Sequence, residues 1–171
     1  CRVPYHGKVT ILDGAIGTEL HKRAQPADFG DKAGCSEVLV LNAPQIVSAV
    51  HHAYLDAGSD IIETNTFGGS AHVLAEYGLA ERTEELNERA AQLARQAADS
   101  TSSEDKPRFV AGSVGPGNKL PSFGHIPYDD LYESFRRQIS GLLAGSIDLL
   151  MIETCQDLLQ VKAALNAARD C

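Results

Sequence analysis

Short apolar runs alternate with longer amphipathic stretches along the chain, and each short run ends in polar or glycine residues. After an irregular lead-in over Cys1 to Lys8, the run Val9 to Leu12 predicts a short strand ending on Asp13, and Ile61-Ile62 predicts a second that ends in Glu63-Thr64-Asn65-Thr66. Phe109 to Ala111 predicts a third strand, which opens into the glycine-rich stretch Gly112 to Gly124, and Leu149 to Ile152 predicts a fourth, ending in Glu153-Thr154. Helical spacing lies between them. Pro44 at a first turn is followed by Ile46, Val47, Val50, Tyr54 and Leu55, up to a stop at Gly58. Ala71 to Tyr77 reads as a helix broken at Gly78, and Glu81 to Asp99 as a longer one that turns Leu86, Ala90, Leu93, Ala94 and Ala97 inward. Tyr128 to Leu143 carries the stripe Leu131, Phe135, Ile139, Leu142 and Leu143, and Leu158 to Arg169 follows Asp157 as a cap. His21 to Asn42, with Pro26, Gly30 and Gly34, has no clean period and reads as a long loop with one helical turn, a kind of loop that is usually functional or disordered.

The chain also repeats itself. Ala57-Gly58-Ser59-Asp60 before the second strand returns as Ala144-Gly145-Ser146-Ile147-Asp148 before the fourth, and both strands then run into Glu-Thr. Alternation of this kind implies an α/β fold with a parallel sheet and helices outside it. Four consecutive βα units are compatible with a small open sheet or with the N-terminal half of a (βα)8 TIM barrel, whose complete chain needs about 250 residues. Polar residues at every strand end favour the half barrel, because an open sheet uses only the strands beside its switch point. Asp13, Glu63, Asn65, Ser113 and Glu153 would then share one rim, although Asp13 also suits an acidic turn before a helix.

Composition narrows the classes. A chain of 171 residues is expected to form one core, residues 1–171 being a single partial domain in the half-barrel reading. A net charge of -8 argues against nucleic acid or an anionic membrane as partner. Cys1, Cys35, Cys155 and Cys171 are too dispersed for a structural zinc site, and with no signal-peptide pattern the expectation is a reduced, cytoplasmic protein. The adjacent His51 and His52 point about 100° apart on a helix and cannot share a metal. A start on Cys1 and a stop on Cys171 within helical sequence suggest a segment of something longer.

Five motifs, Ile11 to Leu20, Gly34 to Pro44, Ala53 to Gly68, Gly112 to Gly124 and Ile152 to Leu165, occur in an order that resembles the homocysteine S-methyltransferase family. The resemblance is to the homocysteine-binding domain of its cobalamin-dependent methionine synthase branch more than to the betaine-dependent one. It implies a methyltransferase of methionine biosynthesis that binds homocysteine on zinc and methylates the thiolate. Cobalamin and methyltetrahydrofolate would be handled by other domains, and the partners would be the remaining half of the barrel and a cobalamin-binding domain. By motif position, Asp13 and Glu153 match the family's acidic contacts to the amino acid, Gly14 and Ala15 offer N–H groups, and Glu63 and Asn65 orient substrate or zinc ligands. The family's three zinc cysteines would lie beyond Cys171, so the segment alone is expected to be inactive. Two other readings stand beside this one. The first is a non-catalytic half barrel that self-associates through open sheet edges. The second is an unrelated small-molecule enzyme that uses Glu63 and Glu153 as acid and base.

Overall fold

The computed structural model describes residues 9–171, so the lead-in at Cys1 to Lys8 lies outside the described residues. Its elements in chain order are α1 (Ile16–Arg23), α2 (Leu39–Asn42), α3 (Pro44–Ala57), β1 (Ile61–Glu63), α4 (Ala71–Leu74), α5 (Thr83–Thr101), β2 (Phe109–Val114), α6 (Tyr128–Ala144), β3 (Leu149–Ile152) and α7 (Leu158–Asp170). The three strands form one parallel sheet in the order β1-β2-β3, with Ile62 opposite Val110 and Gly112 opposite Leu150.

The expected first strand is reduced to a single bridge between Leu12 and Ile61. The Ile11 carbonyl accepts from the N–H groups of Asp60 and Ile61, and Ile61 accepts from the Asp13 N–H, so this segment does lie parallel to β1. Val9 is 91% exposed and Ile11 56% exposed, and among the described residues no strand pairs with the outer side of this segment. Four consecutive βα units therefore become three strands and a bridge among the described residues.

The repeat seen in the sequence has a structural meaning at the strand starts. The Asp60 carboxylate accepts the Ile11 N–H at 2.9 Å while its own N–H donates to the Ile11 carbonyl. Asp148 treats Val110 in the same way, with its carboxylate accepting that N–H at 2.8 Å. Each aspartate thus closes the edge of the neighbouring strand one residue before its own strand begins, and Arg95 neutralises Asp148 at 2.7 Å. Charge-assisted bonds of this kind replace ladder bonds where the backbone turns in from a helix.

Two further expectations change. His21 to Arg23, expected to open the loop, instead end the helix Ile16–Arg23, with acidic Glu19 in its first turn and Lys22 and Arg23 in its last, an arrangement that suits the helix dipole. The stretch behind it is not one long loop, because 3-10 turns at Pro26–Phe29 and Ser36–Val38 lead into α2. Leu143 is not in the apolar stripe of α6. It is 45% exposed, whereas Leu131, Phe135, Ile139 and Leu142 are fully buried. One residue on from Leu142 it stands about 100° round the helix, off the face that packs.

The helices pack closely. α6 crosses α5 at Gly141, where a methyl group would collide with the Glu84 carbonyl. Leu55, Ile62, Ala94, Ala97, Ala98 and Val110 form the core between the sheet, α3 and α5. Phe135, Ile139 and Leu142 pack α6 against Ala163, Ala164 and Ala167 of α7. Asp157 caps α7, accepting the Leu159 N–H at 2.9 Å, and Gln160 bonds back to the Asp157 N–H at 3.1 Å. Among the described residues no helix is long and apolar enough to cross a membrane.

Candidate active site

The polar ends of the bridge segment, β1, β2 and β3 all open into one cleft of about 480 Å³. Parallel pairing makes this unavoidable, because every strand delivers its carboxyl end to the same side of the sheet. Asp13, Gly14, Ala15, Glu63, Asn65 and Glu153, the six candidates from the sequence, all line it. They arrive there by local geometry. The Asp13 Oδ2 accepts the Glu63 N–H at 2.9 Å, which ties the end of the bridge segment to the end of β1. Its Oδ1 is buried and has no partner among the described residues. Gly14 and Ala15 follow directly and lead into α1, whose first turn has no side-chain cap. The N–H groups of that turn are therefore available to an anion in the cleft. Glu153 follows β3, held by its N–H to the Val114 carbonyl at 3.2 Å and by the Ser113 hydroxyl, which donates to its Oε1 at 2.5 Å. Asn65 is turned differently from the carboxylates, since its Nδ2 donates to the Ser36 carbonyl at 2.7 Å and ties two loops together.

Electrostatics set the character of the cleft. Asp13, Glu37, Glu63 and Glu153 line it, and no Lys, Arg or His among the described residues does. Burial raises the Asp13 carboxyl to about 7, against the pull of the Glu63 N–H, and the negative charges of Glu63 and Glu153 add to the rise. Glu63 is also raised to about 7, by burial first and then by Glu153. Such a site is poised for a cationic group, which would favour the ionised forms of both acids.

A carboxyl raised from 4.5 to about 7 adds stability that is fully present below pH 4.5 and lost as the pH rises through 7. Above pH 7 the ionised Glu63 therefore weighs on the fold. The variant Glu63→Gln is expected to be more stable than the parent at pH 8 by about 1 kcal/mol, allowing for solvent screening of a half-buried group, and little changed at pH 4. Thermal unfolding at the two pH values checks this, and equal shifts at both would contradict it.

The family model for homocysteine S-methyltransferases matches residues 10–171. The chain belongs to this family. A methionine synthase of Mycobacterium tuberculosis (strain ATCC 25618 / H37Rv) is 40% identical over 163 residues, 95% of this chain and 14% of that protein. The methionine synthase of Mycobacterium leprae (strain TN) is 39% identical over the same length and the same shares. The chain thus spans about 14% of the length of these relatives. The crystal structure of the homocysteine methyltransferase MmuM from Escherichia coli, metallated form, aligns with a TM-score of 0.77 at 24% identity, over 95% of this chain and 59% of that one. Its oxidized form gives 0.78 over 95% and 58%. The likeness places this chain in the α/β fold of those homocysteine methyltransferases, with a parallel sheet and helices outside it.

In this member of the family the cleft also includes residues that sequence reasoning left out. Glu37 is buried, accepts the Gly68 N–H at 2.7 Å and takes the Cys35 thiol at 3.6 Å. Burial raises its carboxyl and, with Glu37 beside it, pushes the Cys35 thiol up to about 12. That thiol is therefore an inert core group, not a nucleophile. Phe67, Val73 and Tyr77 complete this side of the cleft. The signal for Glu37 was its place in the Gly34 to Pro44 motif. Of the adjacent histidines, His51 is fully buried with both ring nitrogens unpartnered, and burial lowers it to about 4. It is a neutral core group.

Proposed function

We propose that this chain is the N-terminal half of a (βα)8 barrel and binds homocysteine for methyl transfer to its sulfur. Residues 1–171 would make up one partial domain of a methionine synthase-like protein. The observation that carries the reading is the meeting of Asp13, Glu63 and Glu153 with the uncapped first turn of α1 across one cleft. An amino acid offers an ammonium and a carboxylate at a fixed short separation. The ammonium suits Asp13 and Glu153 through charge-assisted bonds, and the carboxylate suits the N–H groups around Gly14 and Ala15. Glu63 adds negative charge beside the ammonium, and Asn65 fixes the loop wall. The remaining length of the side chain then directs the thiol away from the clamp, and the methyl group would be delivered there.

In the transfer itself the homocysteine sulfur forms a bond to the methyl carbon while the donor keeps the electron pair of the bond that breaks. The thiolate is the nucleophile, and a free thiol with a pKa near 8.5 is mostly protonated at neutral pH. In the reaction the family implies, a bound zinc ion would supply the acidity that leaves the thiol deprotonated. Among the described residues no group of three or more His, Cys, Asp or Glu side chains is placed to hold a metal ion. In this proposal the zinc is held by residues outside this segment, as the family resemblance implies, and what the cleft residues contribute is binding and orientation. Cobalamin, methyltetrahydrofolate, the other half of the barrel and a cobalamin-binding domain belong to the same proposal, as does a cytoplasmic location. The exposed Val9 and Ile11 at one sheet edge would be covered by the rest of the barrel, or in the second reading by another copy of the chain.

Calorimetric titration of the chain with homocysteine in chelator-treated buffer tests the reading. Saturable one-to-one binding is expected, and a folded chain that binds no homocysteine would contradict a preformed clamp.

A further inference from the structure

We propose that Ser113 is a positioning residue that aims the Glu153 carboxylate at the ligand ammonium, and that a closed ring of hydrogen bonds from Thr64 and Thr66 holds it in place. The inference rests on the amino acid clamp proposed above and adds to it the part that sets its geometry.

Backbone pairing between β1 and β2 ends at Glu63 and Ala111, with one further bond from the Thr64 N–H to the Ala111 carbonyl at 2.9 Å. Beyond that point side chains take over. The Ser113 N–H donates to Thr64 Oγ1 at 3.0 Å, Thr64 Oγ1 lies 2.6 Å from Thr66 Oγ1, and Thr66 Oγ1 donates to the Ser113 carbonyl at 2.7 Å. An N–H can only donate and a carbonyl can only accept. The direction of the middle bond is therefore forced, with Thr64 donating to Thr66, and the ring runs one way from the Ser113 N–H back to the Ser113 C=O. Bonds linked head to tail in a water-free interior strengthen one another.

The ring is buried and braced from behind. Thr64 is 0% exposed, Thr66 1% and Ser113 2%. Gln138 of α6, also fully buried, donates from Nε2 to the Thr66 carbonyl at 2.8 Å and to the Ser113 carbonyl at 3.3 Å. With its N–H and C=O both held, Ser113 has only its hydroxyl left to offer, and that hydroxyl meets Glu153 Oε1 at 2.5 Å. Glu153 is followed by Thr154 at φ 56°, left-handed backbone that a β-branched residue rarely adopts, so the chain alone does not favour this placement. The serine bond supplies the missing constraint. One carboxylate oxygen is taken by Ser113, leaving the other to the ammonium.

The test compares two ligands, homocysteine and its des-amino analogue 4-sulfanylbutanoate, on the parent chain and on Ser113→Ala. A positioning role predicts a fall of about tenfold in homocysteine affinity and no change for the analogue, which has no ammonium to meet Glu153. In a Glu153→Gln background, Ser113→Ala should cause no further loss. If Ser113→Ala does not fold, Thr66→Val keeps the serine hydroxyl and opens the ring, and it is expected to weaken homocysteine selectively and by less. Equal losses for both ligands would mean a merely structural role and overturn the inference, as would unchanged homocysteine affinity. Failure of the parent chain to bind homocysteine would instead remove the clamp itself, and the inference with it.

Discussion

The double variant Asp13→Asn, Glu153→Gln is expected to bind homocysteine at least a hundredfold more weakly than the parent chain, while remaining folded. Each substitution exchanges a charged acceptor for a neutral one of the same shape. Hydrogen bonds to charged groups contribute about 1.5–3 kcal/mol each, so losing two costs about 3 kcal/mol or more, which is a hundredfold in affinity. The fold should survive. An asparagine oxygen at position 13 can still accept the Glu63 N–H that Asp13 Oδ2 takes at 2.9 Å, and the Ser113 hydroxyl can still donate to a glutamine oxygen at position 153. Burial disfavours the charged form of Asp13, so the variant should be as stable as the parent at neutral pH or more so. Parallel titration calorimetry and circular dichroism check both halves. An affinity within threefold of the parent would place the ammonium elsewhere.

The second large effect concerns the scaffold. Phe135→Ala is expected to cost about 3–5 kcal/mol, because it empties a fully buried ring site that cannot collapse. The ring lies among Leu131, Ile139 and the alanines of α7, and it meets the His72 ring edge-on with centroids 5.9 Å apart. A loss of this size is a large share of the stability of a single domain and should lower the melting temperature by roughly 10 °C or more. Leu143→Ala on the same helix is the control. Leu143 is 45% exposed, and its truncation should shift the melting temperature by no more than a degree or two. Similar shifts for the two variants would mean that α6 does not present the face described.

These contrasts show what was legible in the sequence. The helices α3, α6 and α7 and the strand β3 could be read from period, caps and the Gly58 and Gly145 stops, because each is fixed by local signals. That the six candidate residues would meet could be read as well, because parallel strands send their polar ends to one side, and all six line one cleft. The first strand was over-read, since Val9 to Leu12 has the right composition but makes only a single bridge, from Leu12 to Ile61, among the described residues. α1 is not among the elements that the spacing predicts, and its helical face is supported by packing of Ile16 and Leu20 against the α2–α3 core. Glu37 stands in the Gly34 to Pro44 motif, but its bond to Gly68, 31 residues away, is a contact that no local pattern encodes. The ring around Ser113 is of the same kind, joining residues 49 and 47 positions apart. Its members could be named from the sequence, but the direction of their bonds could not.

The most direct test of the clamp is the number of protons exchanged when homocysteine binds at pH 7 without metal, measured by titration calorimetry in two buffers of different ionisation enthalpy. Burial raises Asp13 and Glu63 each to about 7 in the free chain, so both titrate around neutral pH. An ammonium placed among them favours their ionised forms. The account predicts net release of protons to the buffer, and Asp13→Asn should diminish it. Binding with no proton exchange, or with uptake, would contradict it.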